Sequence, residues 1–162
     1  MEQLPGIRVS LQTIYVLERK AQYVKTHWSS NAGFPQSGDE RGHLVVVEGL
    51  EDIPFSIARI FYIYGSDRDV VRGQHANRKS QFVLVNVAGS CKVDVKDGKG
   101  NEAVFVLNRP HTGIYLPAML WKDMYDFSPD SVLLCLASEH YEAAEYIRNY
   151  DDYVRIVNEE SL

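Results

Sequence analysis

From His43 onward, short apolar runs recur roughly every 8–15 residues with turn chemistry between them, a spacing that limits what the chain can become. Parallel strands need a crossover of about a dozen residues or more, usually helical, and these gaps have no room for one. The alternative is antiparallel pairing in a sandwich or barrel. The clearest strand is 82–87 (Phe-Val-Leu-Val-Asn-Val), whose almost unbroken apolar run suits burial on both faces. At 91–96, Cys91, Val93 and Val95 alternate with Lys92, Asp94 and Lys96, the period of a half-exposed strand. The stretch 97–101 (Asp-Gly-Lys-Gly-Asn) reads as a hairpin turn, and 103–107 as the returning strand. Further strands are expected at 44–48, within 54–63, at 113–117 and at 132–137. The Gly, Pro, Ser and Asn content of 29–41 reads as a loop. What precedes it, 7–25, is a strand pair or a small N-terminal extension. At 141–157, Tyr146, Ile147, Tyr150, Tyr153 and Val154 stand at helical spacings, so the tail is expected to be a helix against the barrel or a partner subunit. The expected fold is therefore all-β with a C-terminal helix, in which 1–40 is an extension with a possible part in dimerisation and 41–162 is the body.

Composition narrows the function. Of 162 residues, 45% are hydrophobic and 24% charged, enough to build a core and too apolar for disorder. The net charge of −5 argues against nucleic acid as the main partner, because a phosphate backbone demands a basic stripe. Cys91 and Cys135 sit in apolar runs and read as small core residues rather than a disulfide. No apolar stretch approaches the ~18 residues that span a bilayer, and no export signal is visible, so a cytoplasmic protein is expected.

The densest polar segment, 72–81 (Arg-Gly-Gln-His-Ala-Asn-Arg-Lys-Ser-Gln), precedes the most buried strand. In a small barrel such residues line the mouth, a common ligand site. Arg72, His75, Asn77 and Gln81 match the spacing of the first motif of a cupin jelly roll, whose second motif is approximated by Gly113, Pro117 and Lys122. Cupins commonly hold a metal at these positions, but here only His75 is a good donor. Asn77 and Gln81 are neutral amides, and the ammonium of Lys122 repels a cation. A metal-free site is expected, in which cations hold an anionic substrate and His75 moves a proton near neutral pH. The plainer alternative is that a lone histidine in a polar loop is structural, with Arg72 and Arg78 on a solvated surface.

Several stretches are similar in order to the sugar-nucleotide 3,4-ketoisomerases. They are Arg41-Gly-His-Leu44, the run 53–63, 72–78, 87–91, 113–117, Trp121-Lys-Asp-Met124 with 126–128, and 136–138 followed by Tyr146-Ile-Arg148. The resemblance covers about 40–150. It implies a homodimeric cupin-type jelly-roll β-barrel without metal or other cofactor, which moves the keto group of a dTDP-4-keto-6-deoxyhexose from C4 to C3 through an enediol. The pathway implied is deoxysugar biosynthesis for surface polysaccharide such as lipopolysaccharide. His75 matches the catalytic histidine. Tyr62 is assigned to line the sugar or donate to the enediolate oxygen. Arg41 and Arg72 match basic positions suited to pyrophosphate, and His43, Arg59, Asn77, Arg78 and Gln81 complete the expected substrate contacts.

Two departures stand out. Many relatives carry His-Ala-His where this chain has His75-Ala-Asn77, and Trp-His-Glu-Met where it has Trp121-Lys-Asp-Met124. An amide exchanges no proton near pH 7, so a two-histidine shuttle is lost. Lys122 either replaces one partner, if burial lowers its pKa, or pairs with Asp123 on the surface. Changes at His43 and Lys122 also bear on which face of C4 is protonated. The competing expectations are a nucleotide-sugar-binding module without turnover, favoured by Asn77, and an epimerase of the same substrate class.

Overall fold

The computed structural model describes residues 15–16, 34 and 36–159, so most of 7–25 lies outside the described residues. The strands are β1 (Tyr15–Val16), β2 (Gln36–Asp39), β3 (Gly42–Val45), β4 (Arg59–Tyr64), β5 (Arg72–Asn77), β6 (Phe82–Ala88), β7 (Cys91–Lys96), β8 (Glu102–Leu107), β9 (Gly113–Leu116), β10 (Trp121–Tyr125), β11 (Val132–Ala137) and β12 (Tyr146–Ile147). One helix, α1 (Tyr150–Glu159), follows.

Two five-stranded sheets have the orders β1-β9-β6-β11-β4 and β12-β5-β10-β7-β8, and all the pairings within them are antiparallel. From β4 to β12 the chain passes back and forth between the sheets, the path of a jelly roll. No ladder joins the two sheets among the described strands, so the body is an open two-sheet roll.

Three apolar clusters follow from strand alternation. Between the sheets lie Phe82, Leu84, Val93, Val95, Leu133 and Cys135, all at 3% exposure or less. Val83 and Val85 project from the other side of β6 onto Phe34, Ile53, Phe55 and Tyr115. That second cluster is why 82–87 lacks polar alternation. On the outer side of the second sheet, Ala76, Trp121 and Ile147 pack under Tyr153 and Val157 of α1. Tyr153 is fully buried, and its hydroxyl lies 2.8 Å from the Lys96 carbonyl and 3.0 Å from that of Met119. Each large apolar side chain so buried contributes about 1.5–3 kcal/mol.

Several expectations are corrected. Residues 36–39, read as loop, form β2 and pair with β3 around a turn at 40–41. This strand is exposed along its whole length, so no burial pattern marked it. The strand expected at 44–48 ends at Val45, and the one within 54–63 begins only at Arg59. The tail is not helical from Tyr141. Ala143–Glu145 is a single 3-10 turn, and Tyr146 and Ile147 add to the edge of β5 opposite Asn77 and Ala76. The helix starts at Tyr150, where Asn149 caps it by accepting the Asp152 backbone N–H at 2.9 Å.

The polar segment 72–77 is itself a strand, and it carries a β-bulge. Met124 pairs with Arg72 and Asp123 with Gly73, but Lys122 pairs with His75, so Gln74 is the surplus residue. Gly73 has φ +89° and Gln74 φ +52°. A Cβ on Gly73 would stand 2.5 Å from the Lys122 carbonyl oxygen, which requires glycine there.

Candidate active site

Beyond the bulge, His75 and Asn77 stand two apart on β5 and share the inner face of the second sheet. Lys122 lies directly opposite His75 on β10, and its other cross-strand neighbour is Val95 of the central core. The three side chains therefore meet where the apolar filling of the roll gives way to polar groups.

The imidazole is held in one tautomer. His75 Nδ1 lies 2.7 Å from the Gly73 carbonyl oxygen. A carbonyl only accepts, so Nδ1 carries the hydrogen and Nε2 carries the lone pair. The Tyr146 ring stands 4.8 Å away and fixes the ring plane from the side. Burial, and then the positive charges of Lys122 and Arg148, push His75 down to about 4 against the pull of hydrogen bonds with Gly73 and Asn77. It is neutral at physiological pH and has one unprotonated ring nitrogen.

Lys122 is 5% exposed. Its Nζ donates to Asn77 Oδ1 at 2.6 Å and lies 4.7 Å from the centre of the Phe82 ring. Burial pushes it down to about 7, with Arg59 adding to the effect and Cys135, Glu145 and Asp123 opposing it. The nearby Glu145 carboxylate is committed elsewhere. It accepts from Ser80 Oγ at 2.7 Å, from the Lys79 N–H at 3.0 Å and from the Ser80 N–H. Burial works to raise Glu145, but those donors outweigh it and hold the carboxyl below its usual range.

Above this floor stands a cationic and aromatic wall. Arg59 lies over Phe61 at 5.3 Å and Tyr141 at 5.7 Å, and Arg148 lies over Tyr146 at 4.8 Å. The Nε and Nη2 atoms of Arg59 are buried without a hydrogen-bond partner, as is Nδ2 of Asn77. Buried donors left open are costly, about 1–3 kcal/mol each, unless a ligand supplies acceptors. No three His, Cys, Asp or Glu side chains converge among the described residues. The groups that do meet are one imidazole, one amide and the cations, a set that attracts an anion.

Of the sequence candidates, the fold brings together Arg59, His75, Asn77 and Lys122. It does not bring Tyr62 to them. Along β4, Arg59, Phe61 and Ile63 turn inward, so Tyr62 projects outward with Ile60 and Tyr64 and is 62% exposed. Arg41 is exposed in the β2–β3 turn and bound to Asp39. His43 is exposed on β3 beside Gly38. Arg72 Nε donates to Ser66 Oγ at 2.9 Å, and Arg78 is exposed, anchored by its backbone N–H to the Glu145 carbonyl at 3.0 Å. Gln81 Oε1 accepts from the Tyr115 hydroxyl at 2.6 Å, within the cluster outside the first sheet. Lys122 does not pair with Asp123. That carboxylate accepts from Trp121 Nε1 at 3.2 Å on the other face of β10. The groups that sequence reading missed are Tyr141, Glu145 and the wall-forming role of Tyr146 and Arg148. The closely spaced Tyr141, Tyr146 and Arg148 were the available signal, absorbed into an expected helix that begins only at Tyr150.

Comparison with known proteins identifies the family of the chain. The family model described as FdtA: WxcM-like, C-terminal matches residues 28–158. The TDP-4-oxo-6-deoxy-alpha-D-glucose-3,4-oxoisomerase of Aneurinibacillus thermoaerophilus is 40% identical over 119 residues, 74% of this chain and 85% of that protein. A 3,4-ketoisomerase structure from Helicobacter canadensis superposes with a TM-score of 0.75 at 42% identity, covering 78% of this chain and 94% of that one. A histidine-to-asparagine mutant of a 3,4-ketoisomerase from Thermoanaerobacterium thermosaccharolyticum, in complex with TDP-4-keto-6-deoxyglucose, gives a TM-score of 0.81 at 35% identity, covering 94% and 99%.

Proposed function

The chain belongs to the family described as FdtA, WxcM-like C-terminal, and from that premise we propose that it isomerises TDP-4-keto-6-deoxyglucose to the 3-keto sugar. The observation that carries the reading is a neutral imidazole with one unprotonated nitrogen, on the same inner face as the open donors of Asn77 and Arg59. Moving a carbonyl to the neighbouring carbon is a double tautomerisation. A proton leaves C3, an enediol forms, and a proton arrives at C4. His75 is one acid–base group of that tautomerisation. Asn77 Nδ2 donates to a sugar oxygen as negative charge develops. Arg59 and Arg148 hold the pyrophosphate, where a guanidinium fork fits two phosphate oxygens, and the tyrosines beside them supply flat surfaces. No described helix is long and apolar enough to cross a membrane. The outward row Ile60, Tyr62 and Tyr64, each at least 60% exposed, supports a homodimer built on this sheet.

Incubation with TDP-4-keto-6-deoxyglucose, followed by proton NMR in deuterated water, tests the reading. Carbonyl migration is expected, with turnover falling at least about a hundredfold in His75→Asn while TDP affinity is kept. Asn77 favours a second reading, a nucleotide-sugar-binding module. An unchanged sugar together with measurable TDP binding would establish that reading and refute the first. Deuterium at C3 with the carbonyl still at C4 would instead indicate epimerisation.

A further inference from the structure

Resting on the isomerase reading above, we propose that Lys122 carries the carbon-bound proton from C3 to C4, with Asn77 positioning its amine and His75 handling the oxygen-bound proton. The register places the two carriers on one face. His75 and Lys122 are direct cross-strand partners on β5 and β10, a placement that separates Cβ atoms by about 4.5–5.5 Å. The imidazole and the amine thus project side by side from neighbouring strands, and both stand beside Asn77.

A lysine kept for structure alone would be expected to face a carboxylate. Lys122 is buried, its hydrogen-bond acceptor is a neutral amide oxygen, and the neighbouring Glu145 is saturated by Ser80 and Lys79. The groups facing Lys122 are His75 and Asn77 from β5, Arg59 from β4, Cys135 from β11, Glu145 from the 3-10 turn and Asp123 from its own strand. None is a hydrogen-bonded counter-ion. The amine is accordingly free near neutrality, whereas His75, at about 4, is the much weaker base. Removing a proton from carbon is the harder of the two transfers and suits the base whose value lies nearest ambient pH. Donation of one N–H to Asn77 Oδ1 fixes the direction of the lone pair.

The steps balance without any oxidant. The amine takes the C3 hydrogen, the C3–H electrons form the C3–C4 double bond, and the carbonyl π pair moves to O4. His75 Nε2 then transfers the O3 proton to O4. Collapse of O3 to a carbonyl pushes the double-bond pair onto C4, which takes its proton from the Lys122 ammonium. One hydrogen has moved from C3 to C4 and one from O3 to O4.

The test follows carbonyl migration and deuterium entry at C3 in deuterated water, with circular dichroism and TDP binding as controls for folding. Wild-type turnover is expected to rise with pH through a limb near 7, as the amine loses its proton. Lys122→Met is expected to lose at least about a hundredfold in both migration and C3 exchange, with TDP affinity within about threefold of wild type. His75→Asn is expected to keep exchanging C3 while failing to complete migration. Asn77→Asp supplies a counter-ion, so its limb is expected to move up by more than about one pH unit, a change that a merely structural residue would not cause. The proposal is overturned if Lys122→Met turns over within about tenfold of wild type or keeps C3 exchange. A limb that stays in place in Asn77→Asp overturns it too, and that measurement suffices should the methionine variant not fold. A wild-type protein that leaves the carbonyl at C4 refutes the isomerase reading itself, a result distinct from an active enzyme indifferent to Lys122.

Discussion

Burial of Lys122 has a consequence for stability that can be measured without substrate. Its ammonium falls from 10.5 in the unfolded chain to about 7 in the fold, chiefly through burial. At 1.36 kcal/mol per pH unit, keeping the lysine charged inside the roll costs about 5 kcal/mol. The sign follows from proton counting. Between about pH 7 and pH 10.5 the unfolded chain holds a proton that the folded chain has released, so the contribution of Lys122 to stability rises with pH across that window. Below it both states are protonated and the full cost remains. Lys122→Met removes the titration at nearly constant volume. The advantage of the methionine variant over wild type should therefore shrink by roughly 2 kcal/mol between about pH 7 and pH 9. Urea unfolding followed by far-ultraviolet dichroism at several pH values measures this difference; groups that do not feel Lys122 cancel between the two proteins, and His75, which does, titrates below the window. Protein concentration must be held fixed, since association would add to apparent stability. Two stability curves that stay parallel across the window, within about 0.5 kcal/mol, would refute the reasoning, because the ammonium would then be as well accommodated inside as in water.

Two other outcomes are expected. Gly73→Ala puts a methyl group 2.5 Å from the Lys122 carbonyl at φ +89°, and should lower unfolding free energy by about 1–3 kcal/mol while reducing turnover through His75; an unchanged urea midpoint counts against it. Arg59→Met removes open buried donors, so calorimetry should show TDP binding about 10–100-fold weaker with the fold intact, and an unaltered Kd would move the pyrophosphate elsewhere.

How much of this was legible depends on what each strand faces. In β6, β7 and β11, inward residues meet hydrocarbon, so Phe82, Leu84, Val93, Val95, Leu133 and Cys135 announced themselves. β5 and β10 hid because His75, Asn77 and Lys122 replace apolar residues on the inner face, and the bulge breaks the alternation as well. The polarity that conceals these strands is the polarity of the site. Resemblance to a family named Arg59, His75, Asn77 and Lys122, which the fold brings together, and also Tyr62, which it does not. The two-residue period set by Phe61 and Ile63 turns that ring away. The tail misled because Tyr146 and Ile147 serve opposite faces of one short strand, the former beside His75 and the latter beneath α1. Glu145 carried no local mark, since its partners lie 65 and 66 residues away.

The surplus residue in β5 also decides how this enzyme tolerates change. A strand side chain keeps or reverses its direction according to odd or even count, and Gln74 shifts the count by one. Deleting Gln74 would restore an unbroken ladder to β10 with His75 still opposite Lys122. It would also straighten the kink that brings the Gly73 carbonyl onto His75 Nδ1. Such a chain keeps every chemically important residue and loses the contact that holds the imidazole in one tautomer. Shortening this strand by one position should be more damaging than most replacements along it.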